Sequence, residues 1–352
     1  MKILIDIGHP AHVHYFKNFI WLMEKRGHEF LITARNRRYV FDLLRAYNFD
    51  YIDRDKGSSN ILGKILYIPK ADFLLYRMAK KFKVDLFLSF GSMYAAQASK
   101  LLGKPHIAFD DTEHAKFGHM LYVPFTDVIC TPSCFQKDFG KKHIRFNGYM
   151  ELCYLHPNYF KPNLEVLDEL NLKKDDKFFV LRFVSWKASH DVGQKGIDFE
   201  GKLKLIRELE KHGKIFITSE EPLVGELDRY RLSISPEKIH DLLYYATMYI
   251  GEGATMASEA AILGTPSIYI NPLKLGYLEE QEKKYGLTYN FPDSKSALEK
   301  IKELLERNNL KEEWQKKREI MLNDKIDVTE WMVDFIENYP KSFEEYTNES
   351  RK

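Results

Sequence analysis

At 352 residues the chain is about twice the length of a usual single domain, so two domains are expected. With 44% hydrophobic and 30% charged residues it has a globular profile, which excludes intrinsic disorder. Basic and acidic residues nearly balance, 53 against 51 for a net charge of +2, which argues against nucleic acid as a partner.

The first half alternates short apolar runs with helical patterns. Lys2 to Ile7, Phe30 to Thr33, Asp85 to Phe90, His106 to Phe109, Asp127 to Cys130 and Ile144 to Asn147 read as strands. Amphipathic stretches such as Tyr15 to Lys25 and Met93 to Leu102 lie between them. That alternation implies βαβ crossovers and a parallel, doubly wound sheet, a Rossmann-like domain over residues 1–150.

Residues 151–176 lose the pattern in H-P-N-Y-F-K-P-N and a short polar helix, which suits an interdomain connection. Alternation resumes in strands at Phe178 to Phe183, Lys214 to Thr218, Met248 to Ile250 and Ser267 to Ile270. A second Rossmann-like domain is therefore expected over 177–310. Residues 311–352 read as charged helices that pack back on the body through Trp314, Ile320, Met321, Trp331, Met332 and Phe335.

No segment reaches the roughly 18 apolar residues needed to span a bilayer. The three cysteines, Cys130, Cys134 and Cys153, are odd in number and fit neither a disulfide framework nor a zinc knuckle. A soluble, cytoplasmic protein is expected. Association with a membrane surface is a further possibility, because Ile61 to Tyr76 mixes apolar and aromatic residues with Lys64 and Lys70, and Arg77, Lys80 and Lys81 follow. An amphipathic helix packed on its own sheet accounts for the same pattern.

The first strand runs into D-I-G-H-P-A-H-V-H, where Gly8 permits a tight turn and His9 and His12 stand near a helix start that attracts anions. The turn lacks the G-x-G-x-x-G dinucleotide fingerprint. His12 and His14 are two apart and point different ways on a helix, so no metal is expected. F-D-D-T-E-H, Phe109 to His114, sits at the carboxyl end of a strand, where parallel sheets bind ligands. There Asp110, Glu113 or His114 can serve as a base, while Asp111 or Thr112 can cap the next helix.

In the second half, Ser185, Lys187, Ser189 and His190 lie in a polar loop suited to a diphosphate or sugar, and Ser219 and Glu220 end another strand. The sharpest motif is G-E-G-A-T-M-A-S-E-A-A-I-L-G-T-P-S-I, Gly251 to Ile268. Small residues let a phosphate approach the amides around Gly253, Ala254, Thr255 and Met256 at a helix start, and Glu259, about a turn in, is placed to accept from ribose hydroxyls.

This helix resembles the nucleotide-binding helix of glycosyltransferase-B enzymes, notably the peptidoglycan N-acetylglucosaminyltransferase and the non-hydrolysing UDP-GlcNAc 2-epimerases. With D-I-G-H-P-A-H-V-H-Y-F-K, D-D-T-E-H, S-H-D and K-I-H-D-L-L-Y-Y-A, nearly the whole chain looks closer still to an archaeal and bacterial family known as domain of unknown function 354. The resemblance implies two Rossmann-like domains facing across a cleft, acceptor on the N-terminal side and nucleotide-sugar donor on the other. It assigns ribose contact to Glu259, adds His240 to the donor residues, and sets His12 near the donor phosphates or the reaction centre.

The transferase's glycine-rich G-G-T-G-G-H turn is G-H-P-A-H here, and the epimerase's paired glutamates are replaced by Glu259 and Ala260. Inverting transfer from a UDP-sugar to a glycan, lipid or small-molecule acceptor is thus the expected activity, with no cofactor or divalent ion required. A UDP-sugar epimerase or hydrolase and a non-catalytic nucleotide-sugar-binding protein are the alternatives.

Overall fold

The computed structural model describes residues 1–57, 61–184, 196–219 and 222–349. The chain forms two compact units, one of Met1–Tyr154 with Ile326–Lys352 and one of Leu155–Lys325.

The N-terminal unit runs β1 (Lys2–Ile7), α1 (Pro10–Lys25), β2 (Glu29–Ala34), α2 (Val40–Ala46), β3 (Ile52–Asp53), α3 (Ile61–Phe82), β4 (Leu86–Phe90), α4 (Met93–Leu102), β5 (His106–Phe109), α5 (Lys116–Tyr122), β6 (Val128–Pro132) and β7 (His143–Phe146). All its strand pairs are parallel, in the order β3-β2-β1-β4-β5-β6-β7. Helices cover both faces, so the strands are mostly apolar: Ile3, Leu4 and Ile5 are all inaccessible to solvent. Leu4 and Phe87 pack beneath Leu75, Ala79, Ala95 and Ala98 of α3 and α4.

After α6 (Leu152–Leu155) the second unit runs α7 (Glu165–Glu169), β8 (Phe178–Phe183), α8 (Phe199–Leu209), β9 (Lys214–Ser219), α9 (Ile239–Tyr245), β10 (Met248–Gly251), α10 (Ala254–Ile262), β11 (Ser267–Ile270), α11 (Gly276–Lys283), β12 (Thr288–Phe291), α12 (Ser294–Leu305) and α13 (Leu310–Asp324). Its five parallel strands stand in the order β12-β11-β10-β8-β9. Both units are Rossmann-like and doubly wound. Each has one place where successive connections turn to the opposite direction, between β1 and β4 in the first and between β10 and β8 in the second.

The helices expected to pack back on the body over 311–352 are divided between the two units. Helix α13 stays with the second unit, where the Trp314 indole donates to Leu287 O at 2.8 Å. The chain then returns to the first unit as α14 (Val328–Glu337) and α15 (Lys341–Glu349). Thr329 Oγ1 and Asn18 Nδ2 both donate to Cys153 O, at 2.7 and 2.8 Å. Val328 lies so close to Gly148 that a Cβ there would meet its Cγ2 at 2.4 Å. Ile320, expected in the buried stripe, is 63% exposed, because α13 is anchored through Leu310, Trp314 and Met321 instead. The expected connection over 151–176 is also divided, since residues 151–154 belong to the first unit.

His106 occupies the start of β5 with no solvent access. Its Nε2 lies 2.9 Å from Ser89 Oγ and its Nδ1 2.9 Å from Thr126 Oγ1. Burial pushes its pKa from 6.5 down to about 3. Between those two values the unfolded chain binds a proton that the folded one refuses, so stability falls as pH drops through that window. His106→Gln should therefore flatten the pH dependence of urea unfolding, removing about 2 kcal/mol of the loss between neutral pH and pH ~5. An unchanged slope would contradict the assignment.

Candidate active site

At the switch point of the first unit, Asp6 stands next to last in β1 and is 1% exposed. Its Oδ1 accepts from Thr33 Oγ1 at 2.8 Å and Arg54 Nε at 2.9 Å, and its Oδ2 accepts from Ser92 Oγ at 2.5 Å. Ser92 is also the N-cap of α4, accepting from Ala95 N. Arg54 is buried, and its guanidinium lies 4.3 Å from the Tyr94 ring. One carboxylate thus gathers the ends of β1 and β2, the segment after β3 and the start of α4.

Around this node the β1–α1 turn caps itself. His9 is the N-cap of α1, its Nδ1 accepting from Ala11 N at 3.2 Å, with Pro10 opening the helix. His12 Nδ1 accepts from Gly8 N at 3.3 Å. An accepting Nδ1 leaves the ring proton on Nε2. Burial, with Arg37 and Arg54 adding repulsion, pushes the His12 pKa down to about 3, so at neutral pH this imidazole is uncharged. In this arrangement it offers a hydrogen-bond donor rather than a base.

The loop after β5 approaches the same place. His12 stacks at 6.1 Å from Tyr15 and lies 4.8 Å from Phe90, and the Tyr15 side chain hydrogen-bonds to Asp111. Asp110 accepts from Thr112 N at 2.8 Å and from the Tyr122 hydroxyl, and lies 2.9 Å from His119 Nε2. These three contacts hold the loop. Asp111 takes a bond from Thr112 Oγ1 at 2.9 Å. Burial and the neighbouring Asp110 charge raise its pKa to about 7.

Glu113 is buried and accepts from Gln136 N at 3.3 Å, while His114 is half-buried in the same loop. Neither Asp111 nor Thr112 caps α5, whose N-cap is Ala115 with no side-chain bond.

In the second unit the corresponding node is Glu252, 2% exposed, directly after β10. It accepts from Ile197 N at 2.7 Å and Val184 N at 3.1 Å. Those two amides flank the 185–195 segment, so one carboxylate fixes both of its ends. Ser185, Lys187, Ser189 and His190, and Glu220 elsewhere, lie outside the described residues.

Beside Glu252, Gly251 and Gly253 allow a tight passage: a Cβ on Gly251 would meet Arg182 O at 2.6 Å. Gly253 is the N-cap of α10 and brings no capping side chain. The first helical bond is Ala257 N to Gly253 O, so the amides of Ala254, Thr255 and Met256 have no acceptor inside the helix.

The other end of α10 is closed by protein. Gln315 Nε2 donates to Leu263 O at 2.9 Å and Arg318 Nε to Ile262 O at 2.8 Å, while Gly264 takes the left-handed φ of +71° that ends the helix. Glu259 lies in the second turn, 4% exposed, with Oε1 2.9 Å from Nε2 of buried His240. His240 and Glu259 are thus brought together, and Ser219 stands at the end of β9.

A model of the family described as protein of unknown function (DUF354) matches residues 1–341. The chain belongs to the DUF354 family. A protein of Methanocaldococcus jannaschii, described as uncharacterized protein MJ0665, is 28% identical to it over 300 residues, covering 80% of this chain and 86% of the relative.

Among solved structures, the fold of this DUF354 member is similar to that of UDP-GlcNAc 2-epimerase from Neisseria meningitidis bound to UDP-GlcNAc. The TM-score is 0.69 at 12% identity, over 96% of this chain and 99% of that one. It is similar to S. aureus MnaA in complex with UDP, at 0.68 and 14% identity over 97% of each chain. Spinosyn rhamnosyltransferase SpnG with thymidine diphosphate gives 0.62 at 13% identity, over 96% of this chain and all of that one. The fold is therefore of the glycosyltransferase-B type.

Sequence reasoning passed over Asp6, Arg54 and Glu252 in this DUF354 member, and gave Asp111 only a capping role. The signal for Asp6 was a lone carboxylate inside an apolar strand, which must be partnered if buried. No group of three or more His, Cys, Asp or Glu able to hold a metal occurs among the described residues. Asp6→Asn should leave the Arg54 guanidinium buried against a neutral partner and cost about 3–5 kcal/mol in urea unfolding. Adding Arg54→Met should recover part of that loss, and a fully additive double variant would rule out the coupling.

Proposed function

We propose that this protein is an inverting glycosyltransferase that takes a UDP-sugar as donor. The observation that carries the reading is α10: three amides at a helix start without a capping side chain, and a carboxylate one turn further along. Such a start favours a diphosphate, and Glu259, steadied by His240, is placed to accept from ribose hydroxyls. The ligands named in the similar structures, UDP, UDP-GlcNAc and thymidine diphosphate, share the diphosphate that this site would hold. Ser185, Lys187, Ser189, His190, Ser219 and Glu220 complete the proposed donor set by their place in the sequence.

The N-terminal unit would supply the acceptor side. We assign the base to Asp111 rather than to Asp110, because Asp110 is already engaged by Thr112, His119 and Tyr122. A carboxylate with a pKa near 7 can take a proton from an acceptor hydroxyl at neutral pH. As that proton leaves, the acceptor oxygen bonds to the anomeric carbon, and the bond from that carbon to the diphosphate oxygen breaks with inversion. UDP departs with the electron pair, its added charge met by the amides of Ala254, Thr255 and Met256. His12, neutral with its proton on Nε2, donates to an oxygen of either substrate. Glu113 and His114 shape the acceptor side of the same loop. No divalent ion is needed for these steps.

Epimerisation of a UDP-sugar is the second reading, favoured by the likeness in fold to UDP-GlcNAc 2-epimerases along nearly the full chain. UDP-GlcNAc incubated alone separates the two: conversion without an acceptor supports epimerisation and opposes transfer. Ligand binding with no turnover in any mixture would instead point to a nucleotide-sugar sensor.

Two substitutions test the assignments. Glu259→Gln should keep the thermal midpoint of the free protein close to wild type and weaken UDP binding by more than about tenfold in calorimetry. Equal affinity would remove the ribose role. Asp111→Asn should lower kcat by about 10²–10⁴ while leaving the donor KM in place. In the wild type the rate should climb as pH rises through about 7, where the Asp111 carboxyl ionises, and the substitution should abolish that limb.

A further inference from the structure

We propose that the layer formed by α3, α4 and α5 of the N-terminal unit docks on an anionic lipid bilayer. The three helices follow β3, β4 and β5, whose connections all step in one direction across the sheet. Right-handed crossovers therefore place them on one face, and α3 packs on α4 and α4 on α5.

This layer holds an unusual share of the molecule's exposed apolar bulk. Of eleven large hydrophobic residues exposed among the described ones, six lie here or on the turn following α5: Leu66, Phe73, Leu101, Phe117, Met120 and Phe125. Leu66 and Met120 are each 72% exposed. On α3 the outward stripe is Leu66, Lys70, Phe73, Arg77 and Lys80, spaced as alternate three- and four-residue steps along one side of the helix.

Charge completes the pattern. The three helices contain seven lysines and arginines against one acid, in a chain whose net charge is only +2. That acid, Asp72, is turned inward and 9% exposed. The exposed acids of adjoining turns, Asp85 and Asp127, sit at the amino ends of β4 and β6 and bond to the amides of Lys2 and His106. Lys70 is paired with Asp55 at 3.2 Å.

A protein partner would fit this face poorly. The cores of protein interfaces are depleted of lysine, which collects at the rim. Here lysines and arginines alternate with the apolar side chains along the same stripe. That arrangement suits a bilayer surface, where apolar side chains enter the headgroup boundary and long cationic ones reach the lipid phosphates. No helix among the described residues is long and apolar enough to cross a membrane, so the contact would be peripheral.

The test is co-sedimentation of the full chain with vesicles of phosphatidylcholine mixed with phosphatidylglycerol, compared with phosphatidylcholine alone. Binding is expected on the anionic vesicles at low salt and should be lost at high salt. Lys80→Glu with Lys81→Glu, and separately Phe73→Ser with Phe117→Ser, should each weaken partitioning by about tenfold or more. All four positions are exposed, so folding is expected to be unaffected, and circular dichroism checks it. Protein left in the supernatant with anionic vesicles overturns the proposal, as does binding that both variants retain. A dimer in analytical ultracentrifugation that the Phe73→Ser, Phe117→Ser variant dissociates would also overturn it, in favour of a self-association face.

Discussion

A buried carboxylate that must be neutralised organises the first sheet. Asp6 stands where the strand order turns, and the cost of taking its charge out of water is offset only if donors converge on it. Thr33, Arg54 and Ser92 do so, and each comes from a different part of the chain. The requirement to satisfy one group thereby fixes the ends of two strands, the segment after a third and the cap of α4. The self-capped turn with His9 and His12, and the acidic loop after β5, are positioned against that fixed edge.

The second unit solves the same problem with different residues. Glu252 takes the place next to the switch point, and its donors are the backbone amides of Val184 and Ile197 rather than side chains. The helix that follows is asymmetric. Its carboxyl end is closed by Gln315 and Arg318 from α13, whereas its amino end begins at a glycine with no side chain to offer. Partial positive charge at that end has no internal answer within the helix, which is the condition for an external anion to matter.

Much of this was legible in the sequence because parallel sheets covered on both faces leave continuous apolar runs separated by amphipathic helices. The glycine-rich entry to α10 was equally plain. Strands β3 and β12 were missed: β3 is two residues long, and T-Y-N-F is half polar. Partnering was not legible at all. Asp110 and Asp111 are neighbours of one residue type, and only the packing of His119 and Tyr122 on the one and of Tyr15 on the other sets them apart. The self-bonding of His12 to Gly8 is a matter of rotamer and turn geometry, which no spacing encodes. The split of the tail escaped notice because only three residues separate α13 from α14 and both carry apolar side chains along a helix.

The return of α14 and α15 makes the first unit discontinuous, with the whole second unit inserted between its parts. During synthesis the residues up to Tyr154 emerge long before Val328, Met332, Phe335 and Ile336, side chains that contribute roughly 1.5–3 kcal/mol each when buried. Until they arrive, α1 and the Cys153 carbonyl lack their covering, while the inserted unit already has every residue of its own sheet. Biogenesis is therefore staggered: the first sheet is complete once Phe146 has emerged, and only the cover over α1 waits for the last helices to leave the ribosome.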